Sequence, residues 1–462
     1  MPSRDRHPLR LAPSLPLILL FALLVALWLA GGASRSDAAG QIVVRAVAFV
    51  TLAAACLFVD RPTLGTTRPV ALLLLAALVL AVVQLIPLPP ALWQALPGRG
   101  MFTAAAEVAG QPQPWRPLAI VPGTARNALF SLVVPTATFL LVIELKPLER
   151  GWLLPLLLLL ILAVTLVGVL QVSGIYLNNP LINDTLGQVG GTFANRNHFA
   201  LLLAIGCVVA PAWAMGDGRQ MAWRGPVALG LVLLFLMMIL ASGSRAGLIV
   251  GILALGIAAI MTRQEIRRLL RKAPRWVFPA VVLGVVALIA IFVLLSMVSN
   301  RAAALDRLAA ENTGEDMRSR GLPVVLSMIR TYFPFGAGLG GFDPIFRIHE
   351  PMALLKRTYF NHAHNDFLEI VLDAGVAGLL LLLAALVWWL AMSIKAWQGA
   401  TREQLLPRLG STVLLLILVA SLFDYPARTP TFMAVVMIAA IWLSGAGHVN
   451  AMSALPRAER HL

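Results

Sequence analysis

Apolar runs long enough to cross a bilayer recur along the whole of this 462-residue chain, and no other feature limits its fold as much. Leu153–Val169 is one of them, and the apolar stretch Leu379–Leu390 lies within another. A hydrocarbon core about 30 Å thick takes about 17 to 25 apolar residues per helix. Backbone in lipid must satisfy its own N–H and C=O groups, so such runs become helices rather than open sheets. Composition agrees: 59% of residues are hydrophobic and 12% charged, about half the charge of an ordinary soluble domain. A soluble enzyme, a nucleic-acid binder and a disordered scaffold are excluded. The formal net charge of +15 is scattered between apolar runs, which points to membrane topology and to no nucleic acid.

Twelve candidate spans follow: Leu11–Ala30, Ile42–Val59, Val70–Ile86, Asn127–Ile143, Trp152–Val172, His198–Met215, Gly225–Ala241, Ala246–Thr262, Phe278–Val298, Phe367–Ile394, Leu409–Phe423 and Thr431–Ser444. The expected fold is an all-α polytopic membrane protein in four regions. These are residues 1–150, with a Pro/Trp-rich outer segment at 87–126; residues 151–298, carrying further spans; a large outer loop at 299–366; and residues 367–462, with the last spans and a tail. Arg4, Arg6 and Arg10 precede the first run, whose length favours an uncleaved anchor over a signal peptide. Cys56 and Cys207 lie within apolar runs and read as small packing residues.

With the N-terminus inside, 20 of the 36 Lys and Arg residues fall in inner loops. Eight more lie in the long outer loop, which says little about orientation, and the balance of 20 against 8 places both termini in the cytoplasm. Outer arginines run against that bias and so need a reason. Arg196 opens the sixth span and Arg245 the eighth, while Arg318, Arg320 and Arg330 lie in the long loop. A lone arginine at a membrane boundary can snorkel into water. Five on one side suggest a shared anionic ligand, because a planar guanidinium matches phosphate oxygens in pairs.

The long loop reads as partly helical, with Leu322, Val325, Met328 and Ile329 near helical spacing. Gly336, Gly338, Gly340 and Gly341 follow as turn formers. They lack both the Gly-Lys-Ser/Thr ending and the preceding strand that a phosphate-binding loop requires. The densest chemistry is Asn361-His-Ala-His-Asn-Asp-Phe-Leu-Glu369, where the loop re-enters the membrane. Asp366, Glu369 and Asp373 share one helix face at offsets of three, four and seven. Three readings stay open: an Asn cap with acids at the positive end of the helix, a metal site on His362 and His364, and a proton-transfer or acceptor site built on an imidazole beside carboxylates. Spacing fixes no third ligand, so no metal is assigned.

Four segments together resemble the O-antigen ligase and polymerase superfamily of bacterial membrane glycosyltransferases: Gly190–Ala200, Ser242–Gly247, Arg318–Gly341, and His364-Asn365 followed after nine residues by Gly375-Val-Ala-Gly378. The last is the most specific. The resemblance implies a GT-C-like helical fold with a long, partly helical periplasmic loop, in the bacterial inner membrane with its active site on the periplasmic side. It implies a glycosyltransferase that moves a glycan from undecaprenyl diphosphate to an acceptor hydroxyl, without metal or cofactor. For a ligase the acceptor is the lipid A core; for a polymerase of O-antigen, capsule or exopolysaccharide it is a growing polysaccharide, and for a protein O-oligosaccharyltransferase a protein hydroxyl. Carried over by residue, Arg196 and Arg245 contact the diphosphate, Arg318 or Arg320 joins them, and His364 is the catalytic or acceptor-binding group. Asn365, His362, Asp366, Glu369, Asn197 and His198 are expected to support it. Gly375 and Gly378 are expected to let the histidine helix pack closely against a neighbour. A transporter is the remote alternative, but the chain lacks the repeated halves it calls for.

Overall fold

The computed structural model describes residues 12–35, 37–59, 63–175, 177–183, 187–216, 221–272, isolated positions between 274 and 283, 313–355, 360–399 and 404–445. The expected ninth span, 278–298, and the beginning of the long loop lie outside them. Helices α1 (Leu15–Ala30), α2 (Ala39–Phe58) and α3 (Arg68–Val83) open the chain. A connecting segment follows, in which strands β1 (Pro87–Leu88) and β2 (Arg116–Pro117) pair antiparallel around the short helices α4 (Pro90–Gln94) and α5 (Gly100–Val108). Next come α6 (Pro122–Ser131), α7 (Val133–Ile143), α8 (Leu153–Val172), α9 (Arg196–Met215), α10 (Met221–Ser242) and α11 (Arg245–Lys272). Helices α12 (Thr313–Tyr332) and α13 (Phe342–His349) build a lid from the long loop. Helices α14 (Asp366–Gln398), α15 (Leu405–Ala420) and α16 (Pro430–Leu443) end the described chain.

Among the described residues, eight helical stretches are long and apolar enough to cross a membrane, and α1, α15 and α16 are shorter apolar helices. The chain is a multi-pass, mostly helical membrane protein. Helix α9 is its hub: 89% of its apolar window is buried, and it packs on α8, α10, α11 and α15. A helix apolar all round belongs in such a place. Cys207 is buried there, whereas Cys56 is exposed on α2, contrary to the packing role expected of it.

The lid has its own core of Val325, Met328, Tyr332, Phe342, Ile345 and Phe346, closed from below by Leu372 of α14. Leu322, expected to share that face, is 43% exposed. The connecting segment is bolted to the lid by Arg99, a fully buried arginine. Its guanidinium donates to the carbonyls of Pro97, Leu118 and Gly336 and lies against the rings of Trp93 and Tyr332. Burial lowers its pKa to about 10. Trp93 of this Pro/Trp-rich segment is buried, with its indole N–H donating to Pro117 O.

Helix α14 breaks near its start. Gly375 has φ 55° and ψ −137°, and a Cβ there would overlap Pro334 O. That carbonyl accepts from Val376 N at 2.9 Å, so the lid satisfies the amide that the break frees. A Cβ on Gly378 would meet Ile370 O and the Ala374 methyl of its own helix. The two glycines therefore serve a kink closed by the lid, rather than contact with a neighbouring helix. The kink lets the first turns of α14 point their acids inward while the remainder runs on as a span.

Candidate functional site

The described ends of α9, α11, α14 and α15 meet at one end of the bundle through a single carboxylate, Asp424, which is 2% exposed. Asn195 caps α9, its side chain accepting from Asn197 N at 2.9 Å. Its amide, and that of Asn197, donate to Asp424 Oδ2 at 2.9 and 2.6 Å. Asn197 Oδ1 accepts from Ser244 Oγ at 2.7 Å, and the same hydroxyl accepts from Gly247 N at 2.9 Å, capping α11. Asp424 Oδ1 lies 3.3 Å from Nδ1 of His364 and 3.9 Å from Nε2 of His198. Two adjoining residues are thereby fixed in backbone position: Arg196 beside Asn195 and Asn197, and Arg245 beside Ser244. Arg196 is half-buried.

His364 has φ 51°, a left-handed conformation uncommon outside glycine, with histidine among the side chains that adopt it more readily. Its neighbour Asn365 explains the turn, since Asn365 Oδ1 caps α14 by accepting from Leu368 N at 3.0 Å and its amide donates to Leu422 O at 3.2 Å. The His364 side chain is 20% exposed and its ring lies 5.0 Å from that of Tyr425. His362 lies 4.2 Å from Tyr425 and pairs with Glu369 instead, Nδ1 to Oε1 at 2.8 Å. Each histidine thus has its own carboxylate, an arrangement unlike a shared metal-binding set.

The acids of α14 converge elsewhere. Asp366, Glu369 and Asp373 lie 3.5, 3.3 and 3.3 Å from the guanidinium of Arg428. Glu369 also accepts from Ala363 N at 2.8 Å, and Asp366 from Ser421 Oγ at 2.9 Å. Burial works to lower the pKa of Arg428, but the charges of Glu369, Asp373 and Asp366 outweigh it and hold the guanidinium above its ordinary value. The one-face expectation for the three acids is met. Their partner is a guanidinium, and the carboxylate that orients His364 comes from sixty residues further on.

Of the lid arginines, Arg320 is exposed on α12 and donates to Ala353 O at 3.0 Å; the Arg318 side chain lies outside the described ones. The glycine run is a turn: Ala337 N and Gly338 N donate to Leu372 O and Asp373 O, Leu339 N to Gln84 Oε1, and Gly340 N to Asp373 Oδ2. These amides are committed to protein acceptors.

Asp424 and Arg428 hold these two networks together, and neither is among the candidate site residues read from the sequence. Their signal was available. They are the only Asp, Glu, Lys or Arg between Leu409 and Ser444, and charges so isolated among spans usually have a function or an internal partner. Residues 230–383 match a family described as O-antigen ligase, which bears out the resemblance read from the sequence. The match takes in Arg245, the lid, His364 and the Gly375 kink; Asn195–His198 and Asp424–Arg428 lie outside it. No curated protein matches the chain.

Proposed function

From the O-antigen ligase domain that the chain carries over residues 230–383, we propose that it is a ligase-type glycosyltransferase. It moves a glycan from undecaprenyl diphosphate to a hydroxyl of the lipid A core on the periplasmic side of the bacterial inner membrane. The observation that carries the reading is the Asp424 bridge, which ties His364 to the helix starts bearing Arg196 and Arg245.

A sugar hydroxyl is a weak nucleophile and gains about 10²–10⁴ in rate from a positioned base. With Nδ1–H donating to Asp424, the Nε2 lone pair of His364 is left to take the hydroxyl proton. Asp424 fixes that tautomer and stabilises the imidazolium formed. The acceptor oxygen forms the new bond to the anomeric carbon as the bond to the diphosphate oxygen breaks. Displacement from the opposite face inverts the centre. Arg196 and Arg245 hold the phosphate oxygens as negative charge grows on the leaving group. The three acids and Arg428 act as a structural clasp beneath this centre, supporting His362 through Glu369.

The test is the glycolipid profile of a strain lacking the gene, complemented with wild-type protein or with His364→Ala expressed to the same level. Lipopolysaccharide without O-chains, with long lipid-linked polymer accumulating, is the expected profile of the deletion and of the variant. Core capped by one repeat unit would make the protein a polymerase, and unchanged lipopolysaccharide with exopolysaccharide lost would move it to that pathway. Full complementation by His364→Ala would remove His364 from the chemistry.

A further inference from the structure

Beside the Asp424 network runs a polar trough that the chemistry above leaves unused. Its larger part, about 300 Å³, opens between the start of α2, α6 and the lid, with Arg45, Asn127 and Ser131 on one wall and His362 on another. A smaller part, about 110 Å³, is lined by Asn195, His198 and Tyr425 and so reaches the residues around Asp424. Ser34, Arg35 and Asn361 line both parts, making them consecutive.

The chemistry of the walls narrows what can lie there. Their cations are engaged within the protein: Arg35 by Asp37, Arg45 by Asn127 and Gln41 at 2.6 and 2.9 Å, and Arg428 by its three acids. A phosphate would call for a cation held by nothing else, and a lipid tail for apolar walls. What the trough offers is side-chain amides, hydroxyls and paired charges, able both to donate and to accept. Hydroxyl-rich rings satisfy both roles at close spacing. The size is at the lower end of small-ligand sites, about 300–1,000 Å³.

We propose that this trough is a glycan subsite, which seats sugar rings next to the reacting centre with Asn361 and Tyr425 at its inner end. The inference deepens the glycan-transfer reading and rests on it. The rings belong either to the acceptor or to the transferred glycan; both offer the same hydroxyl chemistry, so the experiment separates them.

Full-length protein in nanodiscs is titrated with three probes: core oligosaccharide freed of lipid A, repeat-unit oligosaccharide released from its lipid carrier, and undecaprenyl diphosphate. Wild type should bind one oligosaccharide. Ser34→Phe, at the junction of the two parts, should weaken that binding at least about tenfold and leave undecaprenyl diphosphate binding unchanged, which also reports an intact fold. Ser131→Phe, at the far end, serves as the second blocking variant should Ser34→Phe fail to fold. Preference for the core oligosaccharide makes the trough an acceptor subsite; preference for the repeat unit makes it a donor subsite. Wild type that binds undecaprenyl diphosphate but neither oligosaccharide, or folded blocking variants that bind as wild type does, would overturn the subsite alone. Wild type that fails to bind undecaprenyl diphosphate would overturn the glycan-transfer reading beneath it.

Discussion

Two polar centres lie within a few residues of each other in this protein and are organised in opposite ways. Around Arg428, three carboxylates from consecutive turns of α14 close over one guanidinium, and Glu369 and Asp373 are wholly buried. Around Asp424, one carboxylate gathers donors from separate elements, while the imidazole it holds remains part-exposed. The first is a closed ion cluster whose charges are spent on one another. The second leaves a ring nitrogen and two neighbouring arginine positions at the end of the bundle. Abundant charge therefore marks the clasp, and the centre with the fewest acids is the one proposed to carry the chemistry.

The sharpest way to break that contrast is Arg428→Met. Removing one partner of a buried ion cluster costs about 3–5 kcal/mol, so the variant should lose its monodisperse detergent-solubilised fraction and much of its thermal stability. Retained folding with lost transfer would instead assign Arg428 to the reaction. Asp424→Asn should do the reverse. It keeps the shape and most of the protein, but transfer should fall by about 10² or more, with undecaprenyl diphosphate binding unchanged. Undiminished transfer in that variant would mean that Asp424 only braces α9.

Gly375→Ala tests how the clasp is joined to the lid. Its positive φ and the contact with Pro334 O leave no room for a methyl, and strain of about 1–3 kcal/mol should appear as a lower unfolding temperature and faster proteolysis of the lid. A normal lid in that variant would show that the kink can relax.

The smallest expected effect is a titration remote from both centres. His349 accepts from or donates to the Tyr332 hydroxyl at 2.9 Å, and burial lowers its pKa below the ordinary 6.5. The folded lid thus favours the neutral ring, and its contribution to stability is complete above pH 6.5 and lost as pH falls through the lowered value. Lid proteolysis should quicken over that interval, and His349→Phe should abolish the dependence. Quickening of equal size in the variant would assign it to another group.

Some of this was legible in advance because it depends on local chemistry. Helical spans follow from residue solvation and length, the Asn365 cap from capping preferences, and the common face of Asp366, Glu369 and Asp373 from helical geometry. The lid glycines were legible as a turn for want of a phosphate-loop pattern. The pairing of His364 with Asp424 was not, because nothing in the spacing of two segments sixty residues apart says which acid a histidine will meet. Acids close in sequence drew attention to α14, and their true partner Arg428 looked like an ordinary loop residue.

By itself the sequence determined that the chain enters a membrane as a helical bundle, because apolar burial and backbone satisfaction act on each segment alone. It also determined which residue types stand at the ends of the spans. Only the tertiary structure decided which charges cancel, which ring is oriented, and where a polar trough remains. Those outcomes depend on distances between segments that meet only when the bundle and the lid have packed.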